Sequence, residues 1–416
     1  MKSIIIPAWN AGELIDECLN SIIGQLTAAD EVIVVDNGSR DGTPERVAAR
    51  YPQVTLVRLP VNLGFAGGVN RGLQLARGDE LFLINQDVAL RANCLAALSA
   101  QLAAGPAIVG CKLLYPDGVT IQHAGGIIHR PRAIADHVGY RQADDGRWDS
   151  VAEVDYVTGA VLAFNRAVLT TIGLLDEAFH PAYYEEVDYC YRARAAGARV
   201  VYEPGAAAIH HESQSTDKRT PAYHRAMERG RVRFALKNFD GAYLLEEFFP
   251  AELAYLPQAD AAFAREVYAP VYDDVLMNLP PLPPEHAASL AQALRQLRRA
   301  ARRRAVYEVS MFEPLPPFEV PALREHEFQS AVPVVGPLIV RLRRLLYALT
   351  AKWPLRVALD QQMRINQLLV QRLQQHETLL REFTEQLIDQ DHDLAHLSRV
   401  VAEVELRQRH LDQPQS

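Results

Sequence analysis

The sequence predicts an α/β domain built on a mostly parallel sheet with flanking helices. An α-helical C-terminal extension ending in a coiled coil follows it. Three observations carry this prediction. Within the first 115 residues, short apolar runs rich in Ile and Val recur: SIIIPAW, EVIVVD, VTLVRL, ELFLIN and AIVGCKLL. Stretches with helical spacing separate them, such as Leu14-Cys18-Leu19-Ile22-Ile23 and Val69-Leu73-Leu75-Ala76. From Leu359 onward, one register advances in alternating steps of three and four residues. Continuously apolar strands are buried on both faces, and helices between them let neighbouring strands run parallel. An unbroken three–four register is the mark of a coiled-coil seam.

Bulk properties narrow the function classes. A chain of 416 residues exceeds what one core usually fills, so at least two units are expected. Hydrophobic content of 49% and charged content of 23% are globular values. The net charge of -8 argues against nucleic acid as the main partner. The four cysteines, Cys18, Cys94, Cys111 and Cys190, form no CxxC pair and read as reduced core thiols. The opening MKSIIIPAWN breaks at Pro7, too early for the apolar core of a signal peptide. No apolar run reaches the roughly 18 residues a membrane-spanning helix needs. The expected location is cytoplasmic, with peripheral contact at the inner face of the plasma membrane.

In parallel sheets ligands bind at the carboxyl ends of the strands, so those ends are where chemistry is sought. The first strand ends in Pro7-Ala8-Trp9-Asn10. The second ends at Asp36 and runs on as Asn37-Gly38-Ser39-Arg40-Asp41-Gly42-Thr43. The third leads into NLGFAGGVNRG, and the fourth ends in Asn85-Gln86-Asp87. Turn preference alone accounts for any one of these loops, with Thr43 expected to cap a helix and Pro44 to occupy its first position. Four polar ends in succession on one sheet edge point to a binding site. No GxGxxG follows the first strand and no GxxxxGK[ST] is present. Gly64, Gly67 and Gly68 precede a helix with Asn70 and Arg71, an arrangement that lets backbone approach a phosphate.

The segments VVDNGSRDGT, NLGFAGGVNRGLQLARGD and LINQDV, continuing through VDYVTGAVLAFNRAVL, PAYYEEVDYCYRARAAG and IHHESQS, resemble in order and spacing the family 2 glycosyltransferases. The likeness covers about residues 1 to 240 and is strongest to bacterial rhamnosyltransferase-like members. It implies a GT-A fold, a Rossmann-like, mostly parallel sheet with flanking helices. It also implies an inverting, metal-dependent transfer of a sugar from a dTDP- or UDP-linked donor to a hydroxyl.

Such a transfer needs a cation on the departing diphosphate, a base at the acceptor hydroxyl, and a fixed nucleotide. By the resemblance, Asp36 contacts the pyrimidine, Pro7 and Asn10 flank it, and Asn37, Gly67, Asn70 and Asn85 complete the nucleotide-sugar site. Asp87 binds Mg²⁺ or Mn²⁺ and the diphosphate, with His210 or His211 completing the metal site. Here the strand end reads Asn-x-Asp where many relatives have two carboxylates. The acidic cluster Glu185, Glu186, Asp188 and Arg192 opens a helix, where acids are favoured by the dipole. Asp188 and Arg192 are i,i+4 partners, so that pair also reads as structural. The family form Glu-Asp-x-Asp places its base at Glu186, with Glu185 second. Asp155, Thr158, Gly159 and Asp188 are expected on the acceptor side.

The catalytic domain is expected to span residues 1–245, followed by a proline-rich connector with a basic helix at 246–335. A basic amphipathic segment and coiled coil fill 336–416. HAASLAQALRQLRRAARRRAV carries Arg295, Arg298, Arg299, Arg302, Arg303 and Arg304, and LIVRLRRLLYALTAKWPLR carries a second basic face ending near Trp353. Basic faces backed by leucine and aromatic residues suit an anionic membrane surface. The seam runs through Leu359, Leu369, Leu373, Leu380, Leu387, Leu394, Leu397, Val401 and Leu411, with polar Asn366, His376 and Gln390 fixing register. A seam this long needs a partner, most simply a second copy of the chain.

The expected activity is therefore glycosyl transfer, with dTDP-rhamnose as the indicated donor and a lipid-linked or growing cell-surface glycan as acceptor. An alternative is a catalytically degenerate, sugar-nucleotide-binding assembly protein that works through its coiled coil. A nucleotidyltransferase would carry a Gly-rich, Lys/Arg-bearing loop after the first strand, which PAWNAGELIDE lacks.

Overall fold

The computed structural model describes residues 1–211, 220–283, 285–306, 336–347, 362 and 364–373. It divides into two units, Met1–Val309 and Ser310–Ser416.

In the first unit, twelve strands are described: β1 (Lys2–Ala8), β2 (Glu31–Asp36), β3 (Thr55–Arg58), β4 (Glu80–Ile84), β5 (Val88–Leu90), β6 (Ala107–Leu114), β7 (Ile121–His123), β8 (Gly126–His129), β9 (Ile134–His137), β10 (Ala152–Glu153), β11 (Val161–Asn165) and β12 (Arg199–His210). The helices between them are α1 (Leu14–Ile23), α2 (Thr43–Arg50), α3 (Gly64–Leu75), α4 (Cys94–Leu102), α5 (Arg166–Ile172) and α6 (Glu185–Ala195). The main sheet runs in the order β10-β12-β6-β11-β4-β1-β2-β3, with β5 paired to β12 and β7 to β6, while β8 and β9 form a separate hairpin. β1 to β4 are mutually parallel, and β11 is antiparallel to both β4 and β6. Since β12 is parallel to β6, both run with β4. The sheet is mixed and mostly parallel, as the strand pattern predicts.

Each apolar run serves two cores. In β1, Ile5 joins the core on one face while Ile4 and Ile6 join the core on the other, and all three are fully buried. This is the period of two along a strand. The glycines of α3 let it lie close on β1. A methyl at Gly72 would collide with Ile5 Cγ2 of β1, and one at Gly68 would sit 3.5 Å from Pro7 Cβ.

The sequence reading of a connector from residue 246 does not match the packing up to residue 306, while residues 307–335 lie outside the described residues. After α7 (Pro221–Asn238) come α8 (Phe249–Tyr255), α9 (Ala269–Met277) and α10 (Ala287–Val306). Phe248, Phe249, Leu256, Val267, Tyr272, Leu290, Leu294 and Leu297 are buried in the same core as Ile5, Leu81 and Phe164. The prolines mislead because they fall where helices tolerate them. Asp240 and Asp260 each cap a first turn by accepting from Tyr243 N and Phe263 N. A wider π-helical turn follows each, at Leu244–Phe248 and Ala264–Tyr268, just before Pro250 and Pro270. Proline lacks the N–H and crowds the carbonyl four residues back, and a widened turn relieves that crowding.

The basic face of α10 is also partly taken up within this unit. Arg298 is buried, Arg302 forms two 2.9 Å bonds to Asp273, and Arg304 donates to Ala259 O.

A buried ion cluster fastens the helical layer to the sheet domain. Glu252 in α8 accepts from Arg231 of α7 at 2.8 and 2.9 Å, from Arg132 at 2.6 Å, and from the Tyr272 hydroxyl at 2.7 Å. Burial alone would push its carboxyl up, but the two guanidinium groups outweigh that and hold it at about 2.

In the second unit, α11 (Gly336–Tyr347) and helical residues 364–373 are described. Leu338, Leu342, Leu345, Leu346, Leu369 and Leu373 are exposed within it. Trp353, Leu359, and the seam from His376 to Leu411, lie outside the described residues. Among the described residues, no helix is long and apolar enough to cross a membrane.

Candidate active site

β1, β2 and β4 run in register, with Ala8 opposite Asp36 and Ile5 opposite Leu83, so their carboxyl ends share one edge. Three polar loops leave that edge, and their side chains lock them together. Gln86 accepts from Trp9 N at 2.6 Å and donates to Trp9 O at 3.1 Å. Asn10 holds a left-handed φ of 48°, donates its N–H to Ser39 Oγ, and accepts from Arg40 N. Asp36 is buried and accepts from Ser39 N. Thr43 does not cap the helix expected of it. Its hydroxyl accepts from Ala11 N and Gly12 N instead, tying the first loop to the second.

Several residues expected to touch nucleotide are used for packing. Asn37 is buried, donating to Gly64 O and accepting from Leu63 N. Asn70 is buried, with its amide bound to Leu175 O, Leu175 N and Glu177. Gly67 faces Leu63. Pro7 lies against α3 beside Gly68. Asn37, Asn70 and Gly67 therefore have structural contacts inside the fold beside the nucleotide-binding roles expected of them.

At the end of β4 the chain turns through Asn85-Gln86-Asp87 into β5. β5 pairs with the last residues of β12, setting Val88 opposite His210. This places the Asp87 carboxylate Oδ1 3.2 Å from His210 Nε2, both side chains 12% exposed. Burial works against the ionised Asp87, but the hydrogen bond and charge of His210 prevail and hold it below the usual carboxylate range. His211 donates its backbone N–H to Asp87 O, while its ring turns to within 3.2 Å of Glu17 in α1. That ring contact is too poorly aligned to be a hydrogen bond. Of the two adjacent histidines, His210 is the one at Asp87. Asn85 Oδ1, two residues before Asp87, is buried without a partner.

α6 brings the acidic cluster to the same edge. Asn85 N donates to Ala160 O, and next along that loop Gly159 packs against Glu186 and the Phe65 ring. Two consecutive bulky residues, Tyr183 and Tyr184, hold left-handed φ values of 83° and 73° before the helix starts. L side chains rarely adopt that conformation, and it persists only where neighbours over-determine it. The Tyr184 hydroxyl donates to Ala133 O and accepts from Ala135 N. Gly230 of α7 lies flush beneath them, since a methyl there would sit 2.6 Å from Tyr183 O. Gly230→Ala is therefore expected to destabilise the protein by about 1–3 kcal/mol. Chemical denaturation checks this, and unchanged stability would show that the Tyr183–Tyr184 turn yields freely.

The carboxyls at this helix start behave differently. Burial raises Glu186 to about 7. Glu185 is raised well above its ordinary value by burial and by the neighbouring Glu186, and its Oε2 has no partner.

Two residues expected on the acceptor side are engaged in contacts within the fold. Asp188 is fully buried and binds Arg192 at 2.8 Å, Lys237 at 2.9 Å and Asn238 at 2.9 Å, so it anchors α6 to α7. Its pairing with Arg192 is the i,i+4 pair the sequence suggests. Asp155 pairs with Arg194 in the last turn of α6 and accepts from Ile128 N, away from the helix start. Thr158 Oγ1 accepts from Ala160 N within the loop. Sequence reasoning did not single out Gln86 as a clamp on Trp9, nor Gln122, whose Oε1 lies 2.6 Å from His210 Nδ1. Only the fold brings those pairs together.

Residues 3–147 match the family model for glycosyl transferase family 2. An uncharacterized protein, y4gI, of Sinorhizobium fredii is 30% identical over 264 residues, covering 58% of this chain and 28% of that protein. The N-acetylglucosaminyl-diphospho-decaprenol L-rhamnosyltransferase of Mycobacterium tuberculosis is 28% identical over 248 residues, covering 54% of this chain and 80% of the relative. A loose overlay, TM-score 0.42 at 20% identity, relates 74% of the chain to 87% of a mannosyltransferase from Pyrobaculum calidifontis solved in complex with GDP-Man and Mn²⁺.

Proposed function

We propose that the protein, whose residues 3–147 match the model of glycosyl transferase family 2, has a GT-A fold and transfers a sugar from a nucleotide sugar to an acceptor hydroxyl, with inversion. The observation that carries the reading is the juxtaposition of Asp87 and His210 at one sheet edge, linked through the Asn85–Ala160 bond and Gly159 to the raised carboxyl of Glu186. dTDP-rhamnose is the proposed donor and a lipid-linked surface glycan the proposed acceptor, in keeping with the motif resemblance and the rhamnosyltransferase relative.

The residues fit a divalent cation. Asp87 Oδ1 and His210 Nε2 lie 3.2 Å apart, and Asn85 Oδ1, buried and unpartnered two residues before Asp87, would offer a neutral oxygen. Among the described residues no cluster of three or more acidic, His or Cys ligands exists. Such a sparse set suits Mg²⁺ or Mn²⁺ that takes most of its ligands from diphosphate and water. When bound, the cation neutralises the departing diphosphate. Asp87 and His210 hold it in place, with β4 and β12 as rigid supports. Asp36, Pro7 and Asn10 border the base pocket at the ends of β1 and β2. Glu186 removes the proton of the acceptor hydroxyl as that oxygen attacks the anomeric carbon opposite the leaving group.

Asp87→Ala is expected to lower transfer by about 10²–10³-fold, with an unchanged melting temperature confirming the fold. Near-wild-type turnover would remove Asp87 from the mechanism. A base works only when unprotonated, so kcat/KM should climb with pH and level off near 7. At pH 5 it should be about 100-fold below the plateau. A flat profile from pH 5 to 8 would rule out Glu186 as the base.

The C-terminal seam is proposed to join two copies of the chain, with the basic, leucine-bearing α11 resting on an anionic membrane. Truncation before Leu359 is expected to convert a dimer or higher oligomer to a monomer in light scattering. An unchanged oligomeric state would refute the coiled coil.

A further inference from the structure

One buried polar side chain at the site has no place in the mechanism above. Gln122 sits in β7 and is 4% exposed. The end of β6 lies between it and β12, since Leu114 pairs with Ile209 on one side and Ile121 on the other. Gln122 Oε1 is 2.6 Å from His210 Nδ1, while Gln122 Nε2 is buried without a partner.

The hydrogen-bond arithmetic is restrictive. An amide oxygen only accepts, so His210 donates its Nδ1–H to Gln122. A neutral imidazole with its proton on Nδ1 carries a lone pair on Nε2. That lone pair faces Asp87 Oδ1, a second acceptor, at 3.2 Å. Two acceptors that close call for a positive partner between them, either a proton on Nε2 that Asp87 accepts or the divalent cation that takes that proton's place. With the carboxamide turned about its last bond, Gln122 would donate to Nδ1 and the imidazole proton would sit on Nε2. Asp87 would then accept it, and Nε2 would be closed to a cation.

We propose that Gln122 is a positioning residue that holds His210 in its Nδ1–H tautomer, leaving Nε2 open to a divalent cation beside Asp87. This rests on the reading of Asp87 and His210 as cation ligands. Gln122 itself touches neither cation nor sugar. Hydrogen-bond partners behind metal-binding histidines are typically worth about 10- to 100-fold in metal affinity.

The test titrates Mn²⁺ into the full-length, ¹⁵N-histidine-labelled protein with dTDP present, reading both the Kd and the ¹⁵N coupling to manganese by pulsed EPR. Gln122→Leu is expected to weaken Mn²⁺ binding about 10- to 100-fold and diminish the coupling. Gln122→Glu, whose carboxylate can only accept, should keep the coupling and bind at least as tightly as wild type. Wild-type affinity in a folded Gln122→Leu protein overturns the proposal. If Gln122→Leu does not fold, Gln122→Glu decides, and a tenfold weaker Kd in it overturns the proposal. Asp87→Ala and His210→Ala separate the two levels. If both bind Mn²⁺ as wild type does, the cation site falls and this inference with it. If both lose Mn²⁺ and Gln122→Leu does not, only the role of Gln122 falls.

Discussion

Glu186→Gln is expected to lower kcat for sugar transfer by about 10²–10⁴-fold, the usual contribution of a positioned base. The substitution keeps shape and packing against Gly159 but removes the ability to take a proton. Glu185 cannot substitute. It is 4% exposed, it lies against its neighbour's charge, and both influences hold it toward the neutral acid. The donor KM should change little, because Glu186 acts on the acceptor side, and the limb near pH 7 should vanish. Near-wild-type kcat, or a retained limb, would assign the proton to another group.

The largest stability effect is expected at Glu252. Glu252→Ala leaves Arg231, whose side chain is 3% exposed, without one of its two carboxylate partners, and Arg132 without its own. Breaking a buried pair this way typically costs about 3–5 kcal/mol. Arg231 retains Glu228 at 2.6 Å, which favours the lower end. The pH dependence agrees in sign. The folded value of about 2 lies below the ordinary 4.5, so the contribution of Glu252 is present above pH 4.5 and is lost as pH falls toward 2. A depression of that size corresponds to about 3 kcal/mol. Urea denaturation at pH 7 checks the effect, and a loss under about 1 kcal/mol would mean that the helical layer is not fastened here. Because α8 to α10 share the core of the sheet domain, the whole first unit should lose stability together.

The strands were legible because they are continuously apolar. β1, β2, β4 and β6 lie buried between two cores, and the sequence has no other use for such runs. Polar groups that interrupt a strand end gave the sequence its candidates, and the fold brings two of them, Asp87 and His210, within 3.2 Å of each other. What the sequence did not show is where ligand-type residues also do structural work. Asn37 and Asn70 are amides near a glycine-rich helix, yet both bind backbone or side chains inside the fold. Asp188 has the spacing of a functional acid and serves as a buried anchor. No local pattern distinguishes those roles, because they depend on what the fold brings opposite. The helices after residue 240 were hidden by their prolines, which the π-helical turns accommodate. Gln122 gave no signal, since its importance lies wholly in facing His210 across β6.

The central claim is that this sheet edge uses a cation to release nucleoside diphosphate from a sugar donor. The most direct measurement incubates the purified chain with dTDP-rhamnose and with UDP- and GDP-linked sugars, in Mn²⁺ or in EDTA, and follows nucleoside diphosphate release. Release from at least one donor is expected, strictly dependent on the divalent cation and abolished by Asp87→Ala. Release that persists unchanged in EDTA and in Asp87→Ala would contradict it, as would the absence of release from every donor.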